Sequence, residues 1–123
     1  MLKFALLANT PMEYKIDAKN KKLGRLASEV ALILQGKKTA KYNPRLPGDD
    51  SVVITNLKDI TVTGNKMEDR IYYRHTGYMG HLKSASLQER WTKDPVKVLR
   101  SVVEHMLPKN RLLVGRLKRL VVK

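Results

Sequence analysis

The apolar residues of this chain change period from one segment to the next, and each change predicts an element. Leu23, Leu26, Ala27, Val30, Ala31 and Leu34 recur at i, i+3, i+4, i+7, i+8 and i+11. That spacing lays one stripe along a helix, and Gly36 is placed to end it. Ahead of the stripe, residues 14–17 read as a short strand and residues 18–22 as a loop. Ser51 to Thr55 carries three adjacent apolar residues, Val52, Val53 and Ile54. A run without alternation predicts a strand covered on both faces, as in a parallel sheet. Residues 59–63 predict a third strand, Gly64-Asn65 a turn, and residues 70–75 a fourth strand. Between helix and second strand, residues 37–50 show no period and hold two prolines and a glycine. An irregular loop of that length in a compact domain is usually functional.

The second half becomes helical. Ser86-Leu-Gln-Glu89 matches a capping box and predicts a short helix through Trp91. Asp94-Pro95 supplies an N-cap and a first-turn proline. Val96, Leu99, Val103, Met106 and Leu107 mark the inner face of a longer helix, which Pro108 ends near Leu107. Leu113, Leu117 and Leu120, with Arg111, Arg116, Lys118 and Arg119 around them, predict a basic amphipathic helix. Val121-Val122 adds an extended end. Strands alternating with helices predict an α/β domain in three layers, α/β/α, on a mostly parallel sheet of about four strands. Residues 1–123 are expected to form one domain, with 1–12 as a lead-in and 110–123 as the basic end.

Charge changes the picture most. The chain holds 25 Lys and Arg against 11 Asp and Glu, a formal net charge of +14 and a pI near 10.2. Its last 23 residues carry six basic groups and one acidic group. Such an excess repels itself and points to a polyanionic partner. A merely basic, soluble surface is the plainer alternative. The 42% hydrophobic content argues against a disordered tail. With no cysteine, disulfides, thiolate metal sites and cysteine nucleophiles are excluded, and a reducing compartment fits. Phe4 to Ala8 is too short an apolar run for a signal-peptide core or a membrane span. The expected location is the cytoplasm.

Residues 69–84 bring together tyrosines, cations and glycines. Aromatic faces stack on bases, cations pair with phosphates, and glycines let backbone approach a bulky surface. Alternation puts Ile71, Tyr73 and His75 on one strand face and Tyr72 and Arg74 on the other. One tyrosine there suits the core. Tyr78, in the loop, is the better stacking candidate, and Lys83 follows. Lys19, Lys21, Lys22 and Arg25 gather at the mouth of the first helix, where backbone N–H groups also favour a phosphate. Lys37, Lys38, Lys41, Tyr42 and Arg45 form another cluster, in the long loop. The bland counterpart for each is a solvated charge run. Trp91 reads as a packing residue, and His105 as an exposed or half-buried helical one.

Catalytic chemistry finds little support. There is no G-x-G-x-x-G and no G-x-x-x-x-G-K-[ST]. Asp49-Asp50 and Glu68-Asp69 are adjacent pairs of the kind that face solvent or cap turns. His75, His81 and His105 lack metal-ligand spacing. No catalytic residue, metal or cofactor is expected.

The chain resembles the bacterial large-subunit ribosomal protein L-thirteen family. The resemblance rests on Ile16-Asp-Ala18, Leu23-Gly-Arg-Leu-Ala27, Val62-Thr-Gly-Asn-Lys66, Ile71-Tyr-Tyr-Arg-His-Thr-Gly-Tyr78, Leu82-Lys-Ser84 and Met106-Leu-Pro-Lys109, in the family's order from about Tyr14 onward. It departs from the family at Met79, His81 and Asn110, where Pro, Gly and Gly are usual. The family also commonly has a further C-terminal tail beyond the position of Lys123. The resemblance implies a three-layer α/β/α fold and a structural component of the large ribosomal subunit. That component binds the large-subunit ribosomal RNA beside neighbouring ribosomal proteins and helps assembly, without catalysis, membrane or small-molecule substrate. By position it implies an RNA-facing role for Arg25, Lys66, Tyr73, Arg74, His75, Tyr78, Lys83 and Lys109. A nucleotide-binding or RNA-modifying α/β enzyme, and a free RNA- or DNA-binding regulator, are the rival readings.

Overall fold

The computed structural model describes residues 11–123; the lead-in before Pro11, with its Phe4 to Ala8 run, lies outside the described residues. The first strand, β1 (Glu13–Asp17), leads through a stitched loop into α1 (Leu23–Gln35). Leu26, Ala27, Val30, Ala31 and Leu34 are all buried, so the apolar stripe is the face that meets the core. Gly36 ends the helix at φ 79°. Its N–H donates to Ile33 O and that of Lys37 to Leu32 O, a Schellman closure in which a left-handed residue satisfies the last carbonyls.

After the long loop comes β2 (Ser51–Thr55), with Val52, Val53 and Ile54 all buried. It is the middle strand of a parallel sheet in the order β1-β2-β5, where β5 is Leu120–Val122 at the C-terminal end. Ile16, Val52, Ile54 and Leu120 meet α1 in one core cluster. That cluster also takes Leu99, Val103 and Leu107 from the long second-half helix, α4 (Pro95–Met106), and its end.

Two expectations are corrected. Residues 59–63 do not form a strand: Leu57–Asp59 is a single 3-10 turn, and Thr61 makes only an isolated bridge to Lys22. Asn56 at φ 57° turns the chain out of β2, and the polar groups of Thr61 are spent holding the mouth of α1. The fourth strand, β3 (Ile71–His75), does not join the parallel sheet. It pairs antiparallel with β4 (Leu82–Ser86), a strand the pattern did not predict, forming a separate hairpin. The fold is therefore mixed α/β, with a three-stranded parallel sheet and a two-stranded antiparallel pair. A helical turn, α2 (Lys66–Asp69), follows Gly64-Asn65 and was also unpredicted.

The helix starts follow their caps. Ser86 Oγ accepts the Glu89 N–H at 3.3 Å to open α3 (Leu87–Lys93). Asp94 Oδ1 accepts the Lys97 N–H at 3.2 Å, with Pro95 at the first position of α4. Asp94→Ala is expected to cost about 1 kcal/mol of stability, the usual effect of losing an N-cap. Urea unfolding checks it, and an unchanged midpoint contradicts it. The last helix is α5 (Leu112–Lys118), and Asn110 Oδ1 accepts the Leu112 N–H at its start. Trp91 is half-buried against the core, as a packing residue should be.

Candidate nucleic-acid interface

The mouth of α1 is built by a short circuit of hydrogen bonds. Asp17 Oδ1 accepts the Lys19 N–H and the Asn56 side-chain amide, both at 3.0 Å. These bonds hold the Asp17 carboxyl below its ordinary pKa, the Lys19 N–H first. The Leu23 N–H donates to Thr61 O and the Thr61 N–H to Lys21 O. Lys19, Lys21, Lys22 and Arg25 are all exposed along this stitched segment. No side chain caps the helix start at Lys22. Beside it opens a cleft of about 560 Å³ whose lining includes Lys22, Arg25, Lys66, Arg70 and His105. Its lining holds no Asp or Glu.

The long loop presents its cluster outward. Lys37, Lys38, Lys41, Tyr42 and Arg45 are exposed, with Tyr42 at 40%. Lys37 Nζ lies 5.7 Å from the Tyr42 ring centre, and Lys38 Nζ 5.1 Å from that of Tyr14. Glu29 links Lys21 at 3.8 Å and Lys38 at 3.9 Å, so one carboxylate on α1 spans two of the basic clusters. Ion pairs this exposed are worth at most about 1 kcal/mol. A phosphate can replace Glu29 as partner at little cost.

The hairpin carries the aromatic group. Tyr73 is 65% exposed and Tyr78, at the tip, 75%. Gly77 at φ 90° and Gly80 at φ 72° let the tip turn, and the Gly77 N–H donates to His75 Nδ1 at 3.0 Å. The tip therefore closes with Met79 and His81 in place, and it closes by backbone bonds from Thr76 to His81 and from His81 to Tyr78. Arg74 stands directly opposite Lys83 in the strand register. Like charges so placed destabilise a sheet, and an anion between them removes the penalty. Tyr72, not Tyr73, is the half-buried tyrosine. The Arg90 guanidinium sits 4.1 Å from its ring centre and that of Arg70 5.2 Å, with Arg70 Nε donating to the hydroxyl.

Arg90 thus joins the basic surface although the sequence reading did not select it, while Arg70, from the stretch 69–84, lines the cleft beside α1 together with His105. Arg90 reaches Tyr72 only because α3 packs back beside the hairpin, and no spacing rule carries that information. In the C-terminal segment, Lys109, Arg111 and Lys118 are exposed. Two expected members of that cluster are corrected. Arg116 is only 2% exposed and turns inward to the carbonyls of Leu46 and Pro47. Arg119 is half-buried and binds the carbonyls of Leu34, Pro47 and Asp50. The carbonyls of Leu34, Leu46, Pro47 and Asp50 lie within reach of these two guanidiniums, one on the short helix and one at its C-terminal cap.

Among the described residues no three His, Asp or Glu side chains gather as metal ligands, and no helix is long and apolar enough to cross a membrane.

Fold and surface together define a basic mixed α/β protein. Residues 12–122 match the family model of Ribosomal protein L13. The chain is 47% identical over 109 residues to the large ribosomal subunit protein uL13 of Alkalilimnicola ehrlichii, covering 89% of this chain and 77% of that protein. It is 45% identical to the protein of the same name from Geobacter sulfurreducens, covering 89% and 76%. The chain belongs to the ribosomal protein L13 family.

Proposed function

We propose that this chain is a structural constituent of the large ribosomal subunit that binds and clamps large-subunit ribosomal RNA and supports subunit assembly. One observation carries the reading: exposed cations stand on several separate elements around a single core. They lie at the mouth of α1, on the long loop, on the hairpin and at the C-terminal segment. A body charged in this way screens phosphate repulsion between RNA segments while the packed core fixes their relative position. Neighbouring ribosomal proteins complete its surroundings, and its place is the ribosome of the cytoplasm. The relatives' name, large ribosomal subunit protein, supports this assignment.

The RNA-facing set is Lys19, Lys21, Lys22, Arg25, Lys37, Lys38, Lys41, Tyr42, Arg45, Lys66, Tyr73, Arg74, His75, Tyr78, Lys83, Lys109, Arg111 and Lys118. We take residues 1–123 as one RNA-binding domain without catalytic activity. The acid-free lining of the cleft beside α1 suits phosphate contact better than proton transfer. For the finer three-layer arrangement, support comes from Val53. It is 6% exposed although it lies on the opposite side of β2 from Val52 and Ile54.

Sedimentation of a cell extract tests the assignment. The protein should travel almost entirely with large subunits, and a mostly free pool would overturn it. Binding to purified large-subunit RNA should also be strongly salt-dependent. With about 8 phosphates neutralised, log affinity should fall against log salt with a slope of roughly −6 to −7. A slope shallower than about −2 would exclude a mainly electrostatic clamp.

A further inference from the structure

Two arginines of the C-terminal segment, the buried Arg116 and the half-buried Arg119, hydrogen-bond to backbone carbonyls. Arg116 Nε donates to Pro47 O and Nη2 to Leu46 O, both at 3.2 Å. Arg119 Nη2 donates to Leu34 O at 2.9 Å and to Pro47 O at 2.7 Å, and Nη1 donates to Asp50 O. Between them they tie the last turn of α1, the end of the irregular loop and the entry to β2. Asp50 Oδ1 also accepts the Met12 N–H, which anchors the same corner to the segment before β1.

The arrangement is costly. Arg116 Nη1 is buried with no hydrogen-bond partner among the described residues. Burial, and then the neighbouring Arg116, lower the pKa of Arg119 from the ordinary guanidinium value. A buried cation contributes little to stability compared with an apolar residue of similar volume. What a guanidinium does provide is a planar fork of donors that holds several carbonyls in one geometry. Here one of the four carbonyls, that of Leu34, belongs to α1, and the other three, those of Leu46, Pro47 and Asp50, belong to the long segment without regular structure. The rest of that segment is held by tight local turns: Thr39 to Gly36, Tyr42 to Thr39, and Leu46 to Asn43. Such turns shape a loop without fixing it to the body, to which the exposed Lys38 adds a weak link through Glu29 and Tyr14.

We propose that Arg116 and Arg119 are positioning residues. They lock residues 37–50 from behind, so that Lys37, Lys38, Lys41, Tyr42 and Arg45 meet RNA as a preset surface. This rests on the RNA-binding reading above. Preorganisation lowers the ordering cost of binding, so the arginines raise affinity without touching a phosphate. The loop's cations can still reach RNA after the clamp is lost, but each encounter must first order the loop.

Gly48 offers a perturbation of the same loop that changes no charge. Its φ is +76°, and an added Cβ would meet Gln35 C and O and Gly36 N at 3.4 Å. Alanine there is strained by the backbone conformation itself.

The test compares Arg116→Gln, Arg119→Lys, Gly48→Ala and Lys41→Ala in the full chain. The half-buried Arg119 and the charge-neutral Gly48 serve if Arg116→Gln fails to fold. Amide hydrogen exchange over residues 37–50, without RNA, reads the clamp itself. Binding to purified large-subunit ribosomal RNA at several salt concentrations reads its consequence. The clamp variants should exchange at least tenfold faster in residues 37–50, with the core unchanged. Their RNA affinity should fall about 5- to 30-fold at every salt concentration with the slope unaltered. Lys41→Ala should leave exchange unchanged and flatten the slope by about 0.7–0.9, one phosphate's share. The proposal is overturned if Arg116→Gln flattens the slope as Lys41→Ala does, which makes Arg116 a direct phosphate contact. Unchanged exchange in residues 37–50, or unchanged affinity with a loosened loop, overturns it equally. Failure of the unaltered protein to bind the RNA sinks the RNA-binding reading instead, while exchange still decides whether the clamp exists.

Discussion

Leu99→Ala is expected to lower stability by about 2–5 kcal/mol, because it deletes most of a side chain from a site that cannot collapse. Leu99 is 0% exposed on α4 and belongs to the core cluster that includes Leu26 and Val30 of α1, Ile54 of β2 and Val103. Helix α4 packs along α1, so the cavity opens at the joint between the two longest helices. For a domain of this size the loss corresponds to roughly 10–20 °C in melting temperature. Against the 5–15 kcal/mol of a typical domain, the variant stands near the edge of folding. The folded fraction should bind RNA with unchanged affinity, since Leu99 is wholly buried and presents no surface to RNA. Calorimetry with filter binding on the same sample checks both halves. A stability loss below about 1 kcal/mol would mean that α4 does not share the core with α1.

Tyr78→Ala should behave in the opposite way. The side chain is 75% exposed at the hairpin tip, and its ring meets His81 edge-on with centres 6.3 Å apart. Little packing is lost when it is cut back, so the melting temperature should move by less than about 2 °C. Stacking on a base or ribose is worth roughly 1–3 kcal/mol by alanine substitution, so RNA affinity should fall about 5- to 150-fold. The loss should be nearly independent of salt, because no charge is removed. Arg74→Ala should instead flatten the salt slope by about one phosphate's share. It also relieves the cross-strand repulsion with Lys83, so the free hairpin should not be weakened. Full affinity in folded Tyr78→Ala would rule out stacking and leave the tip as a solvent-exposed turn.

The elements legible in the sequence are those whose signals are local. The stripe from Leu23 to Leu34 appeared as a helix because its period of 3.6 meets a single buried face. Gly36 ended it because only a left-handed residue closes that turn cheaply. Asp94-Pro95 and Ser86 were read as helix starts because a cap is a bond within four residues. The doubly apolar Val52-Val53-Ile54 announced a central strand, since burial on both faces removes alternation. Residues 59–63 misled because β-branched alternation describes a half-buried extended segment equally well whether or not a neighbouring strand is there to pair with it. Strand β4 passed unseen because Leu-Lys-Ser-Ala-Ser has no apolar face to register, and its pairing comes from the turn at Gly77 and Gly80.

The surface divides along the same line. Charge excess, the exposed tyrosine of the tip and the basic long loop were available from residue types alone, because solvation and charge belong to the side chain wherever it sits. The direction in which each cation points was not. Arg116 and Lys118 are two residues apart on one short helix, yet one is buried against loop carbonyls and the other exposed. Arg90 joins Tyr72 across elements that are separate in sequence. Composition and periodicity determined that this is a basic α/β chain with an apolar core and candidate RNA contacts. Only tertiary packing decided that the strands divide into two sheets, and that two of the arginines serve the backbone. The reason is that hydrophobic periodicity records whether a position is buried, while a hydrogen bond between distant segments depends on where the chain brings donor and acceptor together.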